Sequence, residues 1–148
     1  AVYNTFHVAV ATGPYRFEYV DGAQWTDRIP ALFRIYLKRR FENTNTFRAV
    51  GDPTELTRGA EYNLYTDLRA FHIDRASSEE RAVVSYGTRL VNRRGETLGS
   101  RVFSATSPTG EGDVDRYAEA LDMAARQTSS ETIDWASALI RTDMESRP

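Results

Sequence analysis

Three stretches in the middle of the chain, 61–73, 81–92 and 96–105, carry the clearest strand-like pattern of apolar and polar positions. β-branched and aromatic residues are frequent in them, so each reads as a strand with one face turned to a core. Asp74 to Glu80 is a polar loop between the first two. Arg93-Arg94-Gly95 joins the second and third, with Gly95 suited to the positive φ of a hairpin turn. A meander of three antiparallel strands is the simplest arrangement. Shorter strands are expected over 2–11 and 15–20, interrupted by Gly13-Pro14 and followed by an Asp21-Gly22 turn. Another is expected over 47–50, ahead of a Gly51-Asp52-Pro53 turn.

The spacing changes to helical after Trp25. Ile29, Leu32, Phe33, Tyr36, Leu37 and Phe41 recur at intervals of three and four, with Arg34, Lys38 and Arg39 on the other side. Pro30 lies early, where a missing N–H matters least, and the spacing predicts a helix over about 26–42. Ser107 to Gly112 reads as a linker, and Asp113 as the N-cap of a second helix over about 113–141. Its stripe runs from Val114 through Tyr117, Leu121, Ala125 and Thr132 to Trp135 and Leu139. Thr128-Ser129-Ser130-Glu131 has the form of a capping box that would restart the helix. The stripe passes through it in phase, which favours one long helix. The expected fold is therefore α+β: a two-layer domain in which an antiparallel sheet carries both helices on one face. No repeat, low-complexity segment or linker divides residues 1–148, so one domain is expected.

Composition narrows the chemistry. With 148 residues, 41% of them apolar, the chain is long enough for a single core without a covalent staple. It has no cysteine, which excludes disulfides, a thiol nucleophile and thiolate metal sites. Nineteen basic against 21 acidic residues leave a formal charge of −2, so nothing announces a nucleic-acid surface. Lys38 is the only lysine, and the arginines are scattered along the chain. No apolar run reaches the roughly 18 residues of a membrane span, and no signal segment opens the chain. The sequence starts at Ala1, directly in a strand-like pattern, as a trimmed or processed product would.

Thr109-Gly110-Glu111-Gly112-Asp113 contains glycines but is acidic where a phosphate would sit and lacks the Lys-Ser/Thr ending of a phosphate-binding loop. No serine stands in a Gly-x-Ser-x-Gly elbow. His72 and Asp74 are two apart on a predicted strand and so share a face. With His7, the only other histidine, they define an alternative reading as a small metal-dependent hydrolase; a partly exposed strand end is the simpler one. Glu79-Glu80 and Asp113/Asp115 fall in loops or at a helix start, where solvated carboxylates are ordinary. Arg93 and Arg94, with Arg89 and Arg101 nearby, form a basic hairpin tip able to touch a phosphate or lipid headgroup. No catalytic group, metal or cofactor is assigned.

Aromatic residues gather at one strand–helix junction: Phe17, Tyr19, Trp25, Phe33 and Tyr36, with Trp135 late in the second helix. Helical spacing makes core packing the plain explanation. Two helices over one sheet also form a groove suited to an acyl chain or a partner helix. Tyr19, Trp25, Phe33, Tyr36 and Trp135 are accordingly the candidate hydrophobic ligand or partner surface.

The same junction resembles a known family. Phe17-Glu18-Tyr19, then Trp25-Thr26-Asp27-Arg28-Ile29-Pro30-Ala31-Leu32 and Leu37, is similar to the Tyr…Trp-x-Asp-x-x-Pro-x-Leu segment of ABC-type transport auxiliary lipoproteins. Leu64 to Phe71, Arg101-Val102-Phe103 and the alanine-rich stretch closing on Ile133-Asp134-Trp135 resemble the family's later motifs, in the same order. The likeness spans nearly all of residues 15–140, while 2–12 departs from it.

The resemblance implies a non-catalytic protein of a Gram-negative periplasm, held to a membrane by an N-terminal lipid whose signal region is not in this chain. It further implies service to an MCE-type substrate-binding subunit with its ABC permease and ATPase. Phospholipid or another hydrophobic compound would be the cargo, and homo-oligomerisation is one expected mode of assembly. An assembly or adaptor domain of another envelope complex, Tol-like or secretory, is the alternative within the same architecture.

Overall fold

The computed structural model describes residues 7–13, 16–24, 33, 35–40, 50–51, 62–76, 79–110 and 114–146. Three long strands, β4 (Tyr62–Asp74), β5 (Arg81–Asn92) and β6 (Thr97–Pro108), form the expected antiparallel meander. Ahead of them lie β1 (His7–Gly13), β2 (Arg16–Gln24) and β3 (Val50–Gly51). Helical residues at 33 and 35–40 make up the described part of α1, and α2 is Val114–Glu145. The rest of the expected first helix, from Thr26 to Leu32 and at Arg34, Phe41 and Glu42, lies outside the described residues, as does the expected N-cap Asp113.

The sheet runs β2-β1-β4-β5-β6, with β3 also on β4. β1 and β2 form an antiparallel hairpin, but β1 joins β4 in parallel, through Val10 opposite Ile73 and Ala11 opposite Asp74. β3 is also parallel to β4, at its other end. The sheet is thus mixed, where an antiparallel one was expected. The α+β class and the layering hold. A strand joined to β4 only after a long crossover is free to run parallel to it, and periodicity within the strand does not report that choice.

Several boundaries moved for local reasons. β2 runs on through Asp21-Gly22, where a turn was expected, but the two residues fall in a register shift between Tyr19 opposite Ala9 and Gln24 opposite His7. β6 extends to Pro108, three residues past the expected end and into the expected linker, because Ser107 and Pro108 still face Ala82 and Arg81. Gly95 takes φ 81° in the β5–β6 turn, the left-handed conformation that glycine adopts without steric cost. Asn92 organises that turn: its Oδ1 accepts from the N–H groups of Arg94 and Glu96, each at 3.0 Å.

Alternation along the strands puts Tyr62, Leu64, Ile73, Val84, Tyr86 and Phe103 on the face toward the helices. α2 covers that face with Tyr117, Leu121, Ala124, Ala125 and Ala136, all nearly or fully buried. α1 lies on the same side, since Phe33 and Leu37 share the core with these residues. α2 is continuous through 128–131. Thr128 donates back to the Ala124 and Ala125 carbonyls at 3.1 and 3.0 Å, and Thr132 to the Thr128 carbonyl at 2.8 Å. Those hydroxyls are spent on the preceding turn, so no cap restarts the helix.

Candidate functional site

An aromatic row crosses the core from one helix to the other. Phe33 on α1 packs against Tyr86 on β5 at 4.6 Å between ring centroids. Tyr86 meets Phe103 on β6 at 5.9 Å, and Phe103 meets Trp135 on α2 edge-on at 5.6 Å. Such tilted and edge-to-face pairs are the favoured geometry of aromatic quadrupoles. Within the row the Tyr86 phenol has a buried side-chain partner, 2.6 Å from Thr132 Oγ1. Burial pushes that phenol above its ordinary value, and the hydroxyls of Thr132 and Thr128 pull the other way.

The predicted surface residues separate along this row. Phe33 is 4% exposed and serves the chain's own core. Tyr36 is half-buried between the helices, where burial first and the charge of Asp122 second raise its phenol. Beside it Arg40 donates to Ser130 Oγ at 3.3 Å, tying α1 to α2. Trp135 is half-buried at the margin of the sheet and packs on both hydrophobic clusters, joining them. Tyr19 lies on β2 opposite Ala9, but its side chain and all of Trp25 are outside the described residues.

The open end of the row is the margin between α2 and β6. Leu98 and Leu139 are partly buried beside Trp135, and the Arg101 guanidinium sits 5.2 Å from the Phe103 ring centroid. Gly99 makes room for this: a Cβ there would meet Leu139 Cδ1 at 2.8 Å and Trp135 Cζ2 at 3.2 Å. Sequence reasoning placed Trp135 and Leu139 on the α2 stripe but marked neither Leu98 nor Gly99. A glycine inside a strand was the available signal, since it marks close approach of another element.

Of the three candidate metal ligands, the side chains of His72 and Asp74 are described. His72 and Asp74 do share a face, opposite Val83 and Arg81. Asp74 is occupied, however, by Arg81 at 3.6 Å and by the Ala76 N–H at 2.9 Å. Burial lowers the His72 imidazole, with Asp74 opposing. His7 is on β1, and its side chain is outside the described residues. Among the described residues no three His, Asp or Glu side chains gather in a metal-binding arrangement.

A polar cluster closes the opposite end of the molecule. Arg75 donates to Glu80 at 2.7 Å and to the Tyr117 hydroxyl, which itself donates to Glu80 at 3.2 Å. Thr109 adds a hydrogen bond to Glu80 at 2.9 Å, and the Arg75 N–H reaches the Ala11 carbonyl at 2.8 Å. Burial alone would raise the Glu80 carboxyl; the bonds from Arg75, Thr109 and Tyr117 outweigh it and hold the carboxyl below its usual value. These contacts fasten the β4–β5 loop to the entry of α2 and to β1. Held by Arg75, Tyr117 and Thr109, the Glu80 carboxylate is the centre of a structural clasp.

A sequence model described as "ABC-type transport auxiliary lipoprotein component" matches residues 3–132, most of the chain and all six strands. The chain belongs to that family. The auxiliary-lipoprotein fold is also found in solved structures. A crystal structure of a Xanthomonas campestris protein assigned to DUF330 superposes with a TM-score of 0.87 at 22% identity, covering 98% of this chain and 82% of that one. A crystal structure described only as an uncharacterized protein gives 0.75 at 13% identity, over 91% and 84%. At these identities the likeness is one of fold. No curated protein matches by sequence. The family is a transport component that accompanies an ABC system, and its lipoprotein character places it at a membrane of the envelope. Among the described residues no helix is long and apolar enough to cross a membrane.

Proposed function

We propose that the chain is a non-catalytic, periplasmic auxiliary component of an MCE-type ABC system that moves phospholipid or another hydrophobic compound between membranes. An N-terminal lipid holds it to the membrane, and the MCE subunit is its direct protein partner, with permease and ATPase reached through that subunit. The observation that carries the reading is the family match over residues 3–132. The half-open margin of Trp135, Leu98 and Leu139 suits a hydrophobic contact with either partner or cargo. A catalytic role finds little support, because His72 and Asp74 are engaged in packing and turn contacts.

Affinity purification of the full-length anchored protein in mild detergent, with mass spectrometry of proteins and lipids, tests this. Recovery of an MCE subunit with its permease or ATPase is the expected result. Recovery of Tol-like or secretion machinery in their place would overturn it in favour of an adaptor role.

A further inference from the structure

The two layers of the domain differ in charge. α2 carries seven acidic and three basic residues, and its solvent side is studded with Glu119, Glu131 and Asp134. β5 and β6 contain no acidic residue at all. Over residues 62–108 as a whole, seven arginines stand against five carboxylates.

On the face of the meander turned away from α1 and α2 the basic groups are displayed in a particular way. The Arg89 guanidinium lies over the Tyr65 ring at 4.3 Å from its centroid. Arg69, the extra residue at the Leu68/Ala70 register shift, lies over Gly87; a Cβ at that glycine would be 3.2 Å from the guanidinium. Gly87 faces Asp67 on one side and Val102 on the other, while Tyr65 and Arg89 form the next row. A guanidinium stacked on its flat side keeps its N–H edges free, the arrangement that grips phosphate oxygens in pairs. Asp67, 80% exposed, forms a loose ion pair with Arg69 Nε at 3.8 Å, at the solvent rim of this face. Val102 and Tyr65 are the exposed apolar groups between the arginines, and Ser100, Ser104 and Thr106 around them are exposed and uncharged.

We propose that this face, opposite α1 and α2, is the side of the domain that rests on an anionic phospholipid surface, with Arg69 and Arg89 as its phosphate contacts and Val102 at its centre. The inference rests on the membrane tether in the proposed function. Tethering explains how a flat face with few anchors suffices: it raises the local concentration of the surface, so a weak and delocalised contact is populated. The acidic outer side of α2 is repelled by the same surface and turns away from it. A protein partner would instead be expected to use a buried anchor in a pocket, which a flat, serine-rich sheet face does not provide.

The absence of cysteine makes the test clean. Val102→Cys on the sheet face and Met123→Cys on α2, both at exposed positions, each accept a single fluorophore. The labelled chain is held through an N-terminal histidine tag to vesicles containing a nickel-chelating lipid and a nitroxide-headgroup quencher. With one-quarter phosphatidylglycerol, the label at 102 should be quenched at least twice as strongly as that at 123. The difference should vanish at high salt and in the double variant R69Q/R89Q. Each arginine near an anionic lipid surface is worth about a factor of five in affinity, so the pair contributes about twenty-five-fold. Equal quenching at the two positions, or a preference for 102 that survives R69Q/R89Q, would overturn the proposal. Circular dichroism establishes that the variants are folded. The tag replaces the natural anchor, so failure here leaves the co-purification result standing, and failure of that result leaves this one standing.

Discussion

Gly99 on β6 and Trp135 on α2 are in direct apposition. A Cβ at position 99 would come within 3.2 Å of Trp135 Cζ2, and closer still to Leu139 Cδ1. The glycine is what lets the indole lie against the strand while its other edge packs on Phe103. Through Trp135 the larger core cluster and the smaller one around Tyr62 and Leu90 become continuous.

Gly99→Val should therefore push α2 off the margin of the sheet. Overpacking of this kind costs about 1–3 kcal/mol, read as a lower urea midpoint with an unchanged slope. A wild-type midpoint would show that α2 yields freely at this point and that the apposition is not tight.

The buried pair Tyr86 and Thr132 is a second test. Thr132→Val leaves the Tyr86 hydroxyl buried without that partner, at a cost of about 1–3 kcal/mol. Tyr86→Phe on top of it removes the stranded group and should recover part of the loss. A double-mutant cycle measures the coupling, and strict additivity would mean that the 2.6 Å contact contributes nothing.

Glu80 predicts the acid limit of stability. Its carboxyl titrates below its ordinary value of 4.5 in the folded chain, so the unfolded chain takes up the proton first as pH falls. Stability from the clasp is present above pH 4.5 and lost as pH drops through the lower folded value. Glu80→Gln should cost roughly 1.5–3 kcal/mol at pH 7 by weakening charge-assisted bonds. It should also flatten the stability profile below pH 4.5, as measured by chemical denaturation from pH 7 to 3. An equally steep acid limb in the variant would assign that limb to other carboxylates.

His72 acts in a higher window. Burial lowers its imidazole from 6.5, so between that value and the folded one the unfolded chain binds more protons, and stability falls as pH is lowered. His72→Gln should remove this slope just below pH 6.5 while leaving the Glu80 limb intact. NMR titration of the imidazole checks the direction directly; a folded value above 6.5 would reverse the sign of the slope.

Much of the architecture was legible because it is written in local period. The bounds of β5 were read without error, the β5–β6 turn was placed by Gly95, and the phase of the α2 stripe carried through Thr128–Glu131. Trp135 was marked by its aromatic character. Its neighbours Gly99 and Leu98 were not, because they lie more than thirty residues away in sequence and their role exists only when α2 is laid on the sheet. Phe33 shows the opposite limit: helical spacing gave its face correctly, while only the packed core settles that the face is covered by Tyr86.

The sequence by itself determined which segments alternate and which are helical, the family to which they belong, and that these 148 residues hold no cysteine. Tertiary structure alone decided that β1 runs parallel to β4, that Glu80 is clasped by Arg75, Thr109 and Tyr117, and that Arg69 and Arg89 share one face of the meander. Periodicity reports how a residue relates to neighbours a few positions away. The partner of a strand, the occupant of a glycine's open side and the company of a charge depend on where distant segments cross, and that is fixed only when the whole core closes.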